Sequence, residues 1–252
     1  VEFPITPEVF DAAKPDLSDL RIFDSSGVET GYVLCTGTLP YLTQLTNVPA
    51  ENSVLPDAGK RATDILLDLG FRNLPLEQLV LSFADDNFSR KISVYGRDSE
   101  TQIVSVPRED AAPSQKTVET PWELVANTEI HRYTTRDKVE ESLTVQLAAA
   151  RFRYLKIKIA NADDPPLQFT NAVVNRRQQF AAFQPKPGRT YTLYFENPKA
   201  RPPVYDIAKY ADRLRAEGVA NASLGTSQSN PTKRLPTPSP LIARHRWVLW
   251  VV

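Results

Sequence analysis

Short segments in which apolar and polar residues alternate dominate the middle of this sequence and constrain its fold more than any other feature. Leu76–Phe83 places Leu79, Leu81 and Phe83 on one face, and residues 142–147 repeat the pattern. A period of two is typical of a β-strand with one buried face. Such segments recur with turn residues between them and without a long helical pattern, so the sequence predicts an all-β sandwich or barrel.

Proline content and charge narrow the class of protein further. The 252 residues include 21 Pro and 9 Gly, and Pro at this density is typical of loops and strand edges rather than of a helical bundle. A polar stretch with Pro107 and Pro113 is therefore expected to be a loop. Lys plus Arg and Asp plus Glu are both 30, so the net charge is zero. Because nucleic-acid binding needs a basic surface, we predict no nucleic-acid partner.

The two ends of the chain resemble each other in character and enclose a complete set of strands. We therefore predict two β-sandwich domains. Residues 1–61 and 178–218 would form a discontinuous β domain, and residues 62–177 would form a second domain inserted into it. Residues 204–215 have apolar positions at helical spacing, which predicts one short C-terminal helix.

The last residues predict a tether and a membrane segment. Residues 219–243 are polar and Pro-rich, which is typical of a flexible linker. Residues 244–252 finish in six consecutive apolar positions. Because a membrane-spanning helix needs about 20, we interpret them as the start of a truncated transmembrane helix that continues beyond Val252; a final buried strand is the alternative. The chain begins at Val1 and has no Met, which predicts a processed or excised segment, with signal-peptide removal as one simple cause.

Four motifs in residues 62–177 resemble those of discoidin-type domains, the coagulation-factor C-type or galactose-binding-like jelly rolls. They are Leu-Asp-Leu-Gly at 67–70, Ile-Ser-Val-Tyr-Gly-Arg-Asp at 92–98, Pro-Trp-Glu-Leu at 121–124 and Arg-Tyr-Leu-Lys-Ile at 153–157. The resemblance implies a jelly-roll β-sandwich that binds or positions a ligand. The usual bridging cysteines are missing, since Cys35 is the only cysteine.

The flanks resemble an uncharacterised bacterial family of envelope proteins. Residues 19–29 and 191–207 carry its pattern, Asp-Leu-Arg-hydrophobic followed by Asn-Pro-x-Ala-x-x-Pro-x-Tyr-Asp. Glu196 stands where that family commonly has Gly, so the turn there is expected to differ. The resemblance implies a signal peptide, a periplasmic location, a single C-terminal helix as inner-membrane anchor, and another inner-membrane or envelope protein as partner.

Residues that could carry chemistry are sparse. His131 and His245 lie far from any Ser or Cys nucleophile motif, and the sequence has neither clustered zinc ligands nor a Gly-rich phosphate loop. We predict no catalytic residues and no enzyme activity. A hard cation such as Ca²⁺ binds six to eight oxygens, and jelly rolls often hold one, so the acidic residues of the loops are the candidate metal ligands. The simpler interpretation of these acids is that they are solvated side chains and that the protein has no cofactor. These acids are Asp85, Asp86, Asp163 and Asp164.

Glycan binding needs aromatic faces beside polar loops. Loops 85–90, 127–138 and 161–168 offer such a combination. The candidate ligand-binding residues are Phe88, Arg90, Tyr133 and Arg136. We expect Trp122 to pack in the core instead.

These patterns favour a non-enzymatic, membrane-anchored periplasmic protein that binds or scaffolds partners through its β-sandwich domains. A carbohydrate-binding module of the cell envelope is the alternative hypothesis. A glycoside hydrolase-like enzyme is a second alternative, since its two carboxylates need only a fixed separation in space, which sequence does not reveal.

Overall fold

A computed structural model describes residues 1–46, 50–55, 61–108, 111–148, 150–209, 211 and 218–229. The protein is all-β, as the sequence predicts. Its elements are β1 (Glu2–Pro4), α1 (Pro7–Ala12), β2 (Arg21–Asp24), β3 (Glu29–Thr30), β4 (Tyr32–Thr46), β5 (Ala50–Val54), β6 (Arg61–Asp68), β7 (Leu76–Phe83), β8 (Phe88–Arg97), β9 (Thr101–Arg108), β10 (Ala111–Glu119), β11 (Glu123–Thr134), β12 (Val139–Ser142), β13 (Thr144–Gln146), β14 (Tyr154–Ala162), β15 (Phe169–Phe183) and β16 (Tyr191–Tyr194).

Two antiparallel sheets form the sandwich. The six-stranded sheet has the order β12-β11-β8-β14-β6-β5. The five-stranded sheet has the order β1-β15-β7-β13, and β4 also pairs with β15. β9 and β10 form a separate two-stranded hairpin.

The core lies between the two sheets and is built from alternate residues of each strand. Ile92 and Ile157 point inward from the six-stranded sheet, and Leu79, Leu81 and Val174 point inward from the other. Each is at most 1% exposed. Because burial of such a side chain stabilises the fold by about 1.5–3 kcal/mol, a register slip by one residue in any of these strands is strongly disfavoured.

The N- and C-terminal flanks lie against each other. β2 pairs with β3 on one side and with β16 on the other. The buried carboxylate of Asp19 accepts hydrogen bonds from the backbone amides of Lys14 at 2.9 Å and Asn197 at 3.0 Å. Arg21 donates to the carbonyl of Arg201 at 2.5 Å. The two segments with the second resemblance are thus held together by contacts of the motif residues themselves.

One strand crosses the expected domain boundary at residues 177 and 178. β15 pairs with β7 through its first half and with β1 through its last residues. Phe3 and Phe183 from the flanks belong to the same hydrophobic cluster as Leu79 from the centre. The division into an inserted and a discontinuous domain stays a prediction.

The C-terminal segment is described only in part. Asp206–Lys209 forms a 3₁₀ turn that buries Ile207. Residue 210 and residues 212–217 of the predicted helix lie outside the described residues, as do residues 230–252, which include most of the predicted linker and all of the predicted membrane segment. In the part of the chain that is described, no helix is long and apolar enough to cross a bilayer.

The turn at Glu196 has an unusual backbone. Its φ of 67° lies in the left-handed region, which favours Gly. Gly would adopt this conformation without strain, and the expectation that the turn differs from that of the resembled family stays a prediction.

Candidate functional site

The face of the six-stranded sheet that points away from the core carries a group of large side chains. β8 and β14 pair so that Arg97 lies opposite Tyr154, and Tyr95 lies opposite Lys156. Trp122, which immediately precedes β11, contacts both strands. Its ring centroid lies 4.2 Å from the Arg97 guanidinium carbon and 4.6 Å from the Lys156 ammonium nitrogen. We call these five residues the aromatic platform.

Cations and rings alternate across this platform. Lys156 Nζ also lies 5.5 Å from the Tyr95 ring, and the Arg97 guanidinium lies 5.9 Å from the Tyr154 ring. Such contacts contribute about 0.5–1 kcal/mol each at exposed sites. They fix the orientation of the Trp122 ring on a rigid sheet.

Two exposed leucines flank the platform. Tyr95 pairs with Leu124 on one neighbouring strand, and Lys156 pairs with Leu66 on the other. Leu124 is 60% exposed and Leu66 is 50% exposed. The platform is therefore continuous with apolar surface on both sides.

An open cleft begins where the platform ends. Its volume is about 430 Å³, within the range of about 300–1,000 Å³ that is common for ligand sites. Most of its lining is polar. The lining residues are Asp11, Arg72, Asp98, Ser99, Glu100, Thr101, Arg153 and Tyr154. Because Tyr154 belongs to both features, the cleft and the platform form one continuous surface.

Two arginines in the cleft are held in place by carboxylates. Arg72 donates to Asp11 Oδ1 from its backbone amide at 2.8 Å and from Nε at 3.0 Å. Burial raises the pKa of Asp11, but the hydrogen bonds from Arg72 outweigh it and lower the pKa overall. Arg153 binds Asp68 through Nε and Nη2, both at 2.8 Å, and this pair lowers the pKa of Asp68. Both guanidinium groups are thus preorganised donors.

Asp98 lies at the junction of the loops that form the cleft. Its Oδ1 accepts hydrogen bonds from the backbone amides of Asn73 at 3.2 Å and Arg153 at 3.0 Å. Burial nevertheless raises the pKa of this carboxyl. Asp11 and Glu100 line the same cleft. Three carboxyl groups therefore surround the cleft. The raised pKa of Asp98 does not by itself indicate catalysis, because structural and catalytic carboxyls both show such shifts.

The three segments expected to be ligand-binding loops come together at the opposite end of β8, but the prediction of loops is partly wrong, because residues 88–90 lie in β8, residues 127–134 in β11 and residues 161–162 in β14. Asp85 Oδ2 accepts a hydrogen bond from the Gln168 amide at 2.7 Å. Arg90 forms an ion pair with Asp164 at 3.0 Å. The Thr134 amide donates to Asn87 Oδ1 at 2.9 Å, so the segment 85–90 contacts both of the others.

The candidate aromatic residues of these loops differ in exposure. Phe88 is only 5% exposed and packs edge-on against Phe83, so its ring faces the core rather than a ligand. Tyr133 is exposed and stacks on His131, with the ring centroids 5.1 Å apart. Arg136 is exposed as well. Tyr133 and Arg136 therefore stay candidate ligand-binding residues.

The acidic pairs lie among guanidinium groups. Arg132 Nη1 donates to the carbonyls of Phe83 at 2.9 Å and Asp85 at 3.1 Å, and Arg61 donates to the carbonyl of Asp163 at 2.6 Å. In the described ranges, no three His, Cys, Asp or Glu side chains are placed to share a metal ion. A structural Ca²⁺ at Asp85, Asp86, Asp163 and Asp164 stays a prediction, which these cationic contacts disfavour.

Sequence reasoning missed the aromatic platform. The expectation that Trp122 packs in the core is wrong, because its ring lies half-buried on the outer face between Arg97 and Lys156. The signal was the alternation itself: Val94 and Leu155 point inward, so their neighbours Tyr95, Arg97, Tyr154 and Lys156 point outward.

Comparison with known proteins adds little. No known family model matches the sequence, and no curated protein matches it significantly. Among solved structures, the chain is weakly similar to a family 11 carbohydrate-binding module from Clostridium thermocellum in complex with a β-1,3-1,4-mixed-linked tetrasaccharide. The identity is 8%, the match covers 64% of this chain and 95% of that chain, and the TM-score is 0.16. A likeness this remote carries no functional information.

Proposed function

We propose that this protein is a non-catalytic binding protein that holds a carbohydrate chain along the aromatic platform and in the adjoining cleft. The observation that carries the proposal is the continuity of the two surfaces through Tyr154. Aromatic rings on one side and preorganised polar groups on the other provide the two kinds of contact that a sugar chain needs.

The chemistry of a sugar matches both surfaces. The C–H face of a pyranose ring is apolar and packs on aromatic rings. Trp122 and Tyr154 supply such rings, and Arg97 contacts part of each. Sugar hydroxyls both donate and accept hydrogen bonds. In the cleft, Arg72 and Arg153 are donors, while the carboxylate of Glu100 is an acceptor. A ligand could therefore satisfy its hydroxyls without leaving charged groups unpaired.

The rigidity of the support favours recognition of this kind. Tyr95, Arg97, Tyr154 and Lys156 all lie on hydrogen-bonded central strands of one sheet. Little side-chain or loop ordering is needed on binding, which keeps the entropic cost low. The cleft is open, so we expect dissociation constants of about 1 µM to 1 mM, corresponding to about −8 to −4 kcal/mol.

Glycan-array screening followed by titration calorimetry tests the proposal. Trp122→Ala should weaken binding about tenfold, because loss of a stacking contact costs about 0.5–1.5 kcal/mol beyond the buried area. Tyr133→Ala is the matched control, since it removes an exposed aromatic ring at the opposite end of the sandwich and should leave the affinity unchanged. Thermal unfolding of each variant establishes that it is folded.

Two results would contradict the proposal. One is a folded protein that binds no oligosaccharide on the array. The other is a loss of binding in Tyr133→Ala and not in Trp122→Ala, which would transfer the site to the loops that contain Tyr133.

Hydrolysis of the bound glycan is a second candidate function. It is favoured by the raised pKa of Asp98 beside two further carboxyls in the cleft, because a general acid in a glycosidase needs such a pKa. Under the binding proposal, incubation with a bound oligosaccharide releases no new reducing ends. Release that disappears in Asp98→Asn would establish catalysis instead.

The cellular setting belongs to the proposal as well. The polar residues 219–243 and the six apolar residues 247–252 support a periplasmic protein with one inner-membrane helix, where a neighbouring envelope protein would be a second partner. Fractionation of cells that express the full gene tests this. We expect the protein in the membrane fraction, accessible to protease in spheroplasts; a protein found in the cytosol would contradict the assignment.

A further inference from the structure

Lys156 lies between two rings of the platform. Its Nζ is 4.6 Å from the centroid of Trp122 and 5.5 Å from that of Tyr95. Among the residues that the structure describes, no carboxylate forms an ion pair with this ammonium and no acceptor forms a hydrogen bond with it. The positive charge is therefore left with aromatic faces as its contacts.

The neighbouring cations, in contrast, each have a partner. The pairs are Arg97–Glu119 at 2.9 Å, Lys158–Asp64 at 2.7 Å and Arg153–Asp68 at 2.8 Å. The platform thus carries one positive charge in excess, at Lys156. Burial lowers the pKa of Lys156, and the cations of Lys158 and Arg97 act in the same direction, against the attraction of Asp64 and Glu119. An anion bound at this position would relieve that cost.

We propose that the carbohydrate held on the platform is acidic, and that the carboxylate of a uronic-acid residue pairs with Lys156 while its sugar ring packs on the rings of Trp122 and Tyr95. This inference rests on the proposed function. In a uronic acid the carboxyl carbon is attached directly to the pyranose ring. Lys156 Nζ lies over these rings, 4.6 Å and 5.5 Å from their centroids, so one sugar residue can place its carboxylate on the ammonium and its C–H groups against the parts of the rings that the ammonium leaves uncovered.

Other anions fit this surface less well. An acidic peptide presents its carboxylates on flexible chains without a flat apolar face to cover the rings. A densely sulfated polymer would bring several charges close to Glu119, Asp64 and Asp68, which surround the platform and would repel it. A uronic acid brings one carboxylate with the sugar ring that covers the aromatic rings, which matches the one excess cation.

The experiment compares uronic-acid oligosaccharides with their methyl esters, which keep the sugar ring and lose the charge. Galacturonate, glucuronate, mannuronate and guluronate oligomers cover the common stereochemistries. We expect at least one acid to bind about tenfold more tightly than its ester, because a hydrogen bond to a charged group is worth that much or more. The preference should fall as salt is raised, since Lys156 is only partly buried.

Three variants assign the preference to one residue. Lys156→Gln should remove it while binding of the methyl ester is kept, and Lys156→Arg should retain most of it. Lys138→Gln is the control, because Lys138 is an exposed lysine outside the platform, and it should behave as the wild type.

The outcomes separate this inference from the proposed function. Equal affinity for acid and ester, or a preference that survives in Lys156→Gln, overturns the inference and leaves glycan binding intact. A wild-type protein that binds neither acidic nor neutral oligosaccharides overturns both. Displacement of a bound uronate by poly-glutamate at lower concentration than by free uronate oligomer also overturns the inference, and would indicate an acidic protein partner.

Discussion

Gly96 lies near the end of β8, and its lack of a side chain leaves room for the ring of Phe152. A Cβ atom at position 96 would lie 2.2 Å from Cδ2 of Phe152 and 2.5 Å from its Cγ. Since carbon atoms in contact lie about 3.5–4.0 Å apart, Gly96→Ala requires the ring to move by about 1 Å or more. Phe152 directly precedes Arg153 and Tyr154, which line the cleft, so the displacement would reach the candidate site.

The free energy of unfolding should fall by about 1–2 kcal/mol. Overpacking a well-packed site costs about 1–3 kcal/mol, and the better strand propensity of Ala over Gly returns about 0.5–1 kcal/mol. For a chain of this size, each kcal/mol lowers Tm by about 2–4 °C. The affinity for a bound oligosaccharide should fall as well, because the Arg153 and Tyr154 side chains move with Phe152.

A double-mutant cycle measures the effect. Gly96→Ala, Phe152→Ala and the double variant are compared with the wild type by urea unfolding. In the Phe152→Ala background the ring is absent, so Gly96→Ala should cost nothing there, and the coupling between the two positions should be at least about 1 kcal/mol. Equal costs of Gly96→Ala in both backgrounds, or no cost in the wild type, would refute the reasoning.

Three further substitutions test individual contacts. Burial raises the pKa of Asp98 above its usual 3.8, so the contribution of Asp98 to stability becomes less favourable as pH rises through that raised pKa. Asp98→Asn keeps an acceptor for the Asn73 and Arg153 amides. Urea unfolding should therefore find this variant more stable than the wild type at pH 7, and the difference should shrink in acid. The ion pair with Arg153 holds the pKa of Asp68 below 3.8, so the contribution of this pair to stability is present above that pH and is lost as pH falls through the lowered pKa. Asp68→Asn should lower the free energy of unfolding by about 1 kcal/mol at neutral pH and by nothing in strong acid. A cost that does not depend on pH would contradict the pairing. Glu196→Gly should raise the free energy of unfolding by about 1 kcal/mol, because Gly adopts a φ of 67° without strain; a less stable variant would show that the Glu side chain contributes more than its backbone costs.

The strands that face the core could be predicted because burial of one face imposes a pattern on the sequence. β7 has the bounds that the alternation of Leu79, Leu81 and Phe83 predicts. The stretch after β9 gave no such signal. The sequence predicts a loop that contains Pro107 and Pro113, but most of this stretch forms β10, which pairs with β9. Most of its described side chains, such as Gln115 and Lys116, are exposed, so no apolar alternation is needed to form this hairpin.

The start of β14 depends on a neighbour that is distant in the sequence. Residues 151–159 change face midway in the sequence, which favours either a β-bulge or a strand shared between two packing environments. In the structure β14 begins only at Tyr154, and Phe152 lies before it, against Gly96. The gap that accepts the ring is on β8, and a single sequence does not show which strands become neighbours. The cleft has the same character, since Asp11, Arg72 and Arg153 come from separate parts of the chain.

Half-buried rings on the outer face of a sheet have two explanations that make different measurable predictions. If Trp122 serves only to cover the Arg97 and Lys156 side chains, Trp122→Ala lowers stability by about 1–2 kcal/mol, the sum of two cation–π contacts, and leaves ligand affinity unchanged. If the platform binds a sugar chain, the same variant also loses affinity, and Tyr154→Ala loses affinity with it, since both rings would contact one ligand. Because the stability cost is common to both explanations, only the affinity of a folded Trp122→Ala variant decides between them. The exposed Leu66 and Leu124 beside the rings favour the second, since covering two cationic side chains does not require apolar surface on either side of them.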